Sequence, residues 1–146
     1  MQIIIINGPN LNLQGTRQPD IYGNRNFNDY LKDLQQKFPE LKMEYFQSNH
    51  AGEIIDKLHE VGFTYKGIIL NPAAYTHTSI AIADAVAAIR VPVIEVHLTN
   101  IFARESSRHH SFVSKYAKGI ISGFGIDTYE LAVIALLRLL AEVDKS

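Results

Sequence analysis

Apolar residues along the chain fall into two alternating patterns. Short β-branched or aromatic runs occupy positions 2–6, 43–46, 67–70, 93–96 and 119–121. They read as strands, and their near-continuous apolarity is that of strands buried on both faces. Between them the spacing becomes helical. Phe27, Tyr30, Leu31, Leu34 and Phe38 recur at i, i+3, i+4, i+7 and i+11, one helix face that Pro39 closes. Ile54, Ile55, Leu58 and Val61 repeat the spacing, and Gly62 is placed to end it. Residues 78–90 read as an Ala/Ile helix. A last helix opens with Asp127 and Glu130, spaced as a capping box, and runs apolar through 131–140. Strand–helix alternation, repeated five times, predicts an α/β fold: a single domain over residues 1–146, with a doubly wound, five-stranded parallel sheet and helices on both faces.

This architecture directs attention to the residues just after each strand, because ligands of open α/β sheets bind beyond the strands' carboxyl ends. Asn7, Gly8, Pro9, Asn10, Leu11 and Asn12 follow the first run. Gln47, Ser48, Asn49 and His50 follow the second, and Asn71, Pro72, Tyr75, Thr76 and His77 the third. The fourth ends in Glu95, Val96 and His97, with Thr99 and Asn100 next. Four strand ends rich in uncharged hydrogen-bonding groups and histidine suit a polyhydroxylated small molecule.

Composition narrows the chemistry. Lys plus Arg number 14 and Asp plus Glu 15, so the basic surplus of a nucleic-acid binder is missing. With no cysteine, disulfides, thiolate nucleophiles and zinc–thiolate sites are excluded. No window reaches the ~18 apolar residues of a membrane span, and a soluble cytoplasmic protein is the expectation. The six His residues form no H-E-x-x-H, and there is no Walker A sequence. Gly123 and Gly125 precede a helix without the third glycine of a dinucleotide fingerprint. An imine-forming enzyme needs a desolvated Lys in its site. Lys42 and Lys66 precede their strands, and Lys32, Lys37 and Lys57 lie on polar helix faces.

The remaining candidates each admit two readings. Glu95 and His97 are two apart and share a strand face. They are either a general acid with its orienting carboxylate or a buried pair that holds the strand end. Tyr22 and Arg17 lie in the long loop 13–25, either as a base beside a cation or as loop packing and a solvated charge. A tyrosine base working near neutrality needs its pKa lowered by ~2–3 units, roughly 3–4 kcal/mol of phenolate stabilisation. Arg17, Arg104 and Arg108 are the available sources. Arg104 and Arg108 share a face if their segment is helical, as either an anion-binding surface or a solvated charge run. Asp84 is the one acidic residue of the 78–90 helix. That helix and the last one are apolar on more than one side, which predicts an oligomer.

Together these loops resemble those of the type II 3-dehydroquinate dehydratases. The matching stretches are Asn7–Asn12, Gly15, Arg17, Pro19, Tyr22-Gly23, Gln47-Ser48-Asn49, Asn71-Pro72 and Tyr75–Ser79. Glu95-Val96-His97, Ala103-Arg104-Glu105, Arg108 and His110-Ser111 complete the set. The resemblance implies a flavodoxin-like sheet and a lyase that removes water from 3-dehydroquinate, without metal or cofactor. It implies Tyr22 as the base, Arg17 and Arg104 as stabilisers of the phenolate and developing charge, and Asn10 as the holder of a water at the enolate oxygen. His97, oriented by Glu95, would protonate the departing hydroxyl. Asn71 and the backbone amides of Leu98 and Thr99 would hold the substrate carboxylate, and His77 and Arg108 would read ring hydroxyls. Asp84 would reach a neighbour's site within trimers assembled into a dodecamer. Phe102, Ser107 and Ala83 stand where members commonly carry His, Phe and Arg. The first two bear on the segment carrying Arg104 and Arg108, the third on the subunit contact around Asp84. The alternative is a flavin- or phosphate-binding module of the same fold, whose first loop would be Ser/Thr/Gly-rich where this one is Asn/Pro-rich.

Overall fold

Isoleucines at positions 3 to 6 leave no polar face on the first strand, so it must be covered on both sides. In the computed structural model, which describes residues 1–13 and 26–145, it is. Ile3 and Ile5 enter one buried apolar cluster and Ile4 and Ile6 another, each side chain at 2% exposure or less. Full burial of one such side chain is worth roughly 1.5–3 kcal/mol.

The strands are β1 (Gln2–Asn7), β2 (Lys42–Gln47), β3 (Gly67–Asn71), β4 (Val93–His97) and β5 (Gly119–Ser122). They pair in parallel in the order β2-β1-β3-β4-β5. The α-helices among the described residues are α1 (Phe27–Lys37), α2 (Ala51–Val61), α3 (Ile80–Ala88) and α4 (Thr128–Lys145). Helices α1 and α4 cover one face of the sheet, and α2 and α3 the other. The fold is the flavodoxin-like α/β sheet, and no described helix is long and apolar enough to cross a membrane.

Four details differ from the sequence reading. The β4–β5 connection carries two 3-10 turns, Ile101–Ala103 and Ser106–Arg108, in place of a fifth helix. Its sequence offers no apolar helical stripe to hold a helix on the sheet. Helix α3 starts later than position 78, because the Ser79 hydroxyl caps it by accepting the Ile82 N–H at 3.0 Å. Helix α2 does end at Gly62, but in right-handed geometry with φ −69°. Glycine is required there because a Cβ would lie 2.4 Å from the Ile89 side chain. The Asp127–Glu130 capping box does not form, since a 3-10 turn (Gly125–Asp127) leads directly into α4. The Glu130 N–H instead donates to the Tyr30 hydroxyl, and its carboxylate pairs with Lys37 at 2.8 Å.

Candidate active site

The chain leaves β1 in one direction along the sheet and returns through β3 on its other side. The carboxyl ends of these strands diverge into a crevice. A cavity of about 170 Å³ opens there and against the end of β4. Asn10, Asn71, His77, His97, Leu98, Thr99, Arg104 and Arg108 all line it. Eight of the predicted site residues are thus brought together. Glu95 lies beneath the floor, fully buried. Asp84 is exposed on α3 and does not line this cavity. Arg17 and Tyr22 lie outside the described residues.

The floor is an imidazole on a carboxylate. Alternation along β4 puts Glu95 and His97 on the same side, and the His97 Nε2 meets Glu95 Oε2 at 2.5 Å. A carboxylate accepts, so Nε2 carries the proton, leaving Nδ1 as the nitrogen available to a ligand. Three hydroxyls hold the carboxylate in turn. Thr76 donates to Oε2 at 2.8 Å and Ser114 to Oε1 at 2.7 Å. Ser111 sits 2.6 Å from the Thr76 hydroxyl and takes the N–H groups of Val113 and Ser114. Burial would push the Glu95 carboxyl up, but the hydrogen bond and charge of His97, with the Ser114 and Thr76 hydroxyls, outweigh it and hold the group below its ordinary value. The pair is buried, and its imidazole lines the cavity.

His77 stands beside this floor, its ring stacked 6.4 Å from that of His97. Its Nδ1 donates to the His110 carbonyl at 2.6 Å, which turns Nε2 toward a ligand.

The β1 wall is a tight backbone turn. Gly8 donates its N–H to the Asn71 carbonyl at 2.8 Å, and a Cβ would sit 2.7 Å from the Pro72 carbonyl oxygen. Asn10 adopts φ 69°, a left-handed conformation that Asn tolerates better than most residues. Its N–H is held by Asn49 Oδ1 at 2.9 Å. Gln47 adds a bond to the Gly8 carbonyl at 3.2 Å. Here the sequence expectation needs correcting: the β2 end braces the first loop and does not line the cavity. β2 is an edge strand, one place removed from the crevice.

Asn71 Oδ1 accepts the Ala73 N–H at 3.1 Å, and its Nδ2 donates to the buried Tyr129 hydroxyl at 3.0 Å. The carbonyls of Leu98 and Thr99 are engaged by the Gly125 N–H and the Ser122 hydroxyl. Neither residue's own N–H is donated to another described residue. Gly123 and Gly125, at φ 102° and 62°, shape the turn that reaches back to Leu98, which accounts for the G-x-G without a dinucleotide.

Arg104 and Arg108 do not share a helical face. Arg104 is extended between the two 3-10 turns, and Arg108 closes the second, yet both reach the cavity. Arg108 pairs with Glu105 at 2.5 Å, and this bond holds the Glu105 carboxyl below its ordinary value. The exposed Phe102 packs 5.7 Å from His109, whose Nε2 donates to the Arg104 carbonyl at 2.8 Å. Ala83 is buried in the chain's own core, beside the exposed Asp84.

Sequence reading did not place the Thr76, Ser111 and Ser114 hydroxyls around Glu95, nor Tyr129 between Asn7 and Asn71. Ser114 carried no signal, because the backbone path after Ser111 alone brings it to Glu95. Tyr129 had one: a lone phenol ahead of an apolar helix run. As a whole, the site offers guanidinium groups and amide donors for an anion. Beside them it offers an imidazole held ready to exchange a proton with a bound oxygen.

Comparison with known proteins gives a consistent result. A family model described as dehydroquinase class II matches residues 1–137. A 3-dehydroquinate dehydratase of Prochlorococcus marinus (strain MIT 9301) is 49% identical, over 99% of this chain and 99% of its own. That of Cereibacter sphaeroides (strain ATCC 17029 / ATH 2.4.9) is 52% identical, over 95% and 96%. The crystal structure of a type II dehydroquinase from Butyrivibrio crossotus DSM 2876 superposes with a TM-score of 0.89 at 42% identity, covering 93% of this chain and 97% of that one.

Proposed function

The chain belongs to the class II dehydroquinases, and from that premise we propose how its residues divide the work of a hydro-lyase. The activity is that of a type II 3-dehydroquinate dehydratase in the shikimate pathway. The observation that carries the division of labour is the buried Glu95–His97 pair opening on a cavity flanked by Arg104 and Arg108. We place this activity in a single catalytic domain over residues 1–146, working in the cytoplasm.

The substrate is a ring polyol with a carboxylate and a ketone. Its carboxylate is taken by the Asn71 side chain and the Leu98 and Thr99 N–H groups, which are donors. His77 and Arg108 read ring hydroxyls. Tyr22, as phenolate, removes a proton from the carbon beside the ketone, and the electron pair moves onto the ketone oxygen as an enolate. Arg17 and Arg104 favour the phenolate, and Asn10 holds a water that donates to the enolate oxygen. The enolate then re-forms the ketone and pushes out the hydroxyl on the neighbouring carbon. His97 gives that hydroxyl a proton, so that it leaves as water. Glu95 keeps the imidazole oriented and compensates its charge when protonated. Return of the Tyr22 proton to His97 resets both groups. The product is the conjugated enone 3-dehydroshikimate, and no step needs a metal or an electron sink.

The assembly is proposed to be trimers joined into a dodecamer, with Asp84 entering a neighbour's site. Its support is the outer face of α3, where Ile80, Ala81, Ala87 and Ala88 surround Asp84 in the open, and the exposed Leu131 and Ile134 of α4.

The test is incubation with 3-dehydroquinate while the enone absorbance is followed, with borohydride added in parallel. The expected result is product formation and no mass adduct on any Lys. A trapped substrate–lysine adduct would replace this reading with an imine mechanism.

A further inference from the structure

The last residues of β1 and β3, Asn7 and Asn71, are paired across the ladder at the crevice. Their side chains do not touch the same partner by accident of surface. Both are buried, and the Tyr129 hydroxyl from the first turn of α4 lies between them, itself fully buried. Tyr129 donates to Asn7 Oδ1 at 2.7 Å and accepts from Asn71 Nδ2 at 3.0 Å. Asn7 in turn directs its Nδ2 to the Tyr45 hydroxyl at 3.4 Å.

The direction of these bonds has a consequence. An amide can present either an oxygen or an N–H, and the two look alike in shape. Asn71 is fixed at both ends: its oxygen by the Ala73 N–H, its nitrogen by a hydroxyl whose single proton is already given to Asn7. The second N–H of Asn71 is then a donor left for the cavity that this residue lines. Reversing the amide would put a carbonyl oxygen where an anion binds. Burial, foremost, pushes the Tyr129 phenol above its ordinary range, so it keeps its proton at any working pH.

We propose that Tyr129 is a positioning residue, which selects the donor face of Asn71 and so gives the cavity its preference for a carboxylate. This rests on the reading of Asn71 as a carboxylate ligand, and the test separates the two.

Tyr129→Phe keeps the ring and removes the relay. Its KM for 3-dehydroquinate is expected to rise about five- to tenfold, as for loss of a ~1 kcal/mol hydrogen bond, with kcat within about threefold. Binding of two competing ring polyols is measured beside it, one bearing the carboxylate and one in which hydrogen replaces it. Tyr129→Phe should weaken the first by the same factor and leave the second unchanged. Tyr45→Phe, which spares the Tyr129–Asn71 bond, should change neither. If Tyr129→Phe does not fold, Asn7→Leu frees the hydroxyl proton to swing toward Asn71 and should produce the same selective loss. Equal weakening of both polyols, or of neither, would overturn the proposal. If Asn71→Ala selectively weakens the carboxylate-bearing polyol while Tyr129→Phe does not, positioning fails and the Asn71 reading stands. If Asn71→Ala shows no selectivity, the reading falls and the proposal with it.

Discussion

Two carboxylates flank the cavity, and both sit below their ordinary pKa for unlike reasons. Glu95 is fully buried, and burial opposes its charge; the bonds from His97, Ser114 and Thr76 overcome that cost. Glu105 is exposed, and its bond to Arg108 does the lowering. The first is a charge locked in place, with each oxygen occupied, and its imidazole cannot turn without breaking that arrangement. The second is a surface pair in water, where ion pairs contribute little. The difference assigns the two walls different tasks. The proton transfer proposed for His97 needs a fixed geometry within hydrogen-bond reach, which the sheet supplies. The hydroxyl recognition proposed for Arg108 needs a charge that can be handed from Glu105 to a ligand, and two short 3-10 turns present it.

The comparison breaks most visibly in turnover. His97→Ala should lower kcat by ~10²–10⁴-fold, the range for losing general acid–base catalysis, with KM changed little. Tyr22→Phe should fall at least ~10²-fold by the same reasoning. Single-turnover kinetics would check both, and a variant within a few-fold of the parent loses its assigned role. Arg104→Ala should act through the base, lowering kcat by roughly 10–100-fold, whereas Arg108→Ala should act instead through binding, raising KM by roughly 10–100-fold, the worth of a charge-assisted hydrogen bond. Their thermal midpoints should stay close to the parent's, and a large drop would show that the second wall is structural after all.

Stability should follow the opposite division. Glu95 has a lowered pKa in the folded chain, against an ordinary value of 4.5. Its contribution is therefore fully present above about that pH and is lost as pH falls through the lower folded value. Urea titrations on acidification should show the parent losing stability below pH ~4.5 more steeply than Glu95→Gln. Parallel curves would remove Glu95 from that role. Ser114→Ala should cost about 1 kcal/mol, one buried hydrogen bond, and shift the acid limb of the kcat profile. Glu105→Gln should have the smallest effect, a change in KM of a few-fold with no shift in that limb.

Much of this was legible in the chain, and the reason is local. The five strand segments follow the apolar runs to within one residue at each end. Burial on both faces holds for β1, β3 and β4 alone, because β2 and β5 are edge strands and stay half-exposed. The strand-end rule then located Asn10, Asn71, His77 and His97 with no knowledge of packing. What was hidden depends on contacts distant in sequence. The hydroxyls around Glu95 come from residues 16 to 19 positions away, and Tyr129 reaches Asn7 across 122. Arg104 and Arg108, four apart, share a face only if the segment after β4 is helical. Without an apolar stripe it became two 3-10 turns.

The central claim is that acid and base are separate groups, so the two halves of the reaction come apart when one is removed. His97→Ala in deuterated water with 3-dehydroquinate tests this most directly, by following deuterium in recovered substrate together with the enone absorbance. The account predicts deuterium beside the ketone and almost no product. Loss of exchange together with loss of product would place His97 in proton abstraction, and product at near-parental rate would remove it from the chemistry; either contradicts the claim.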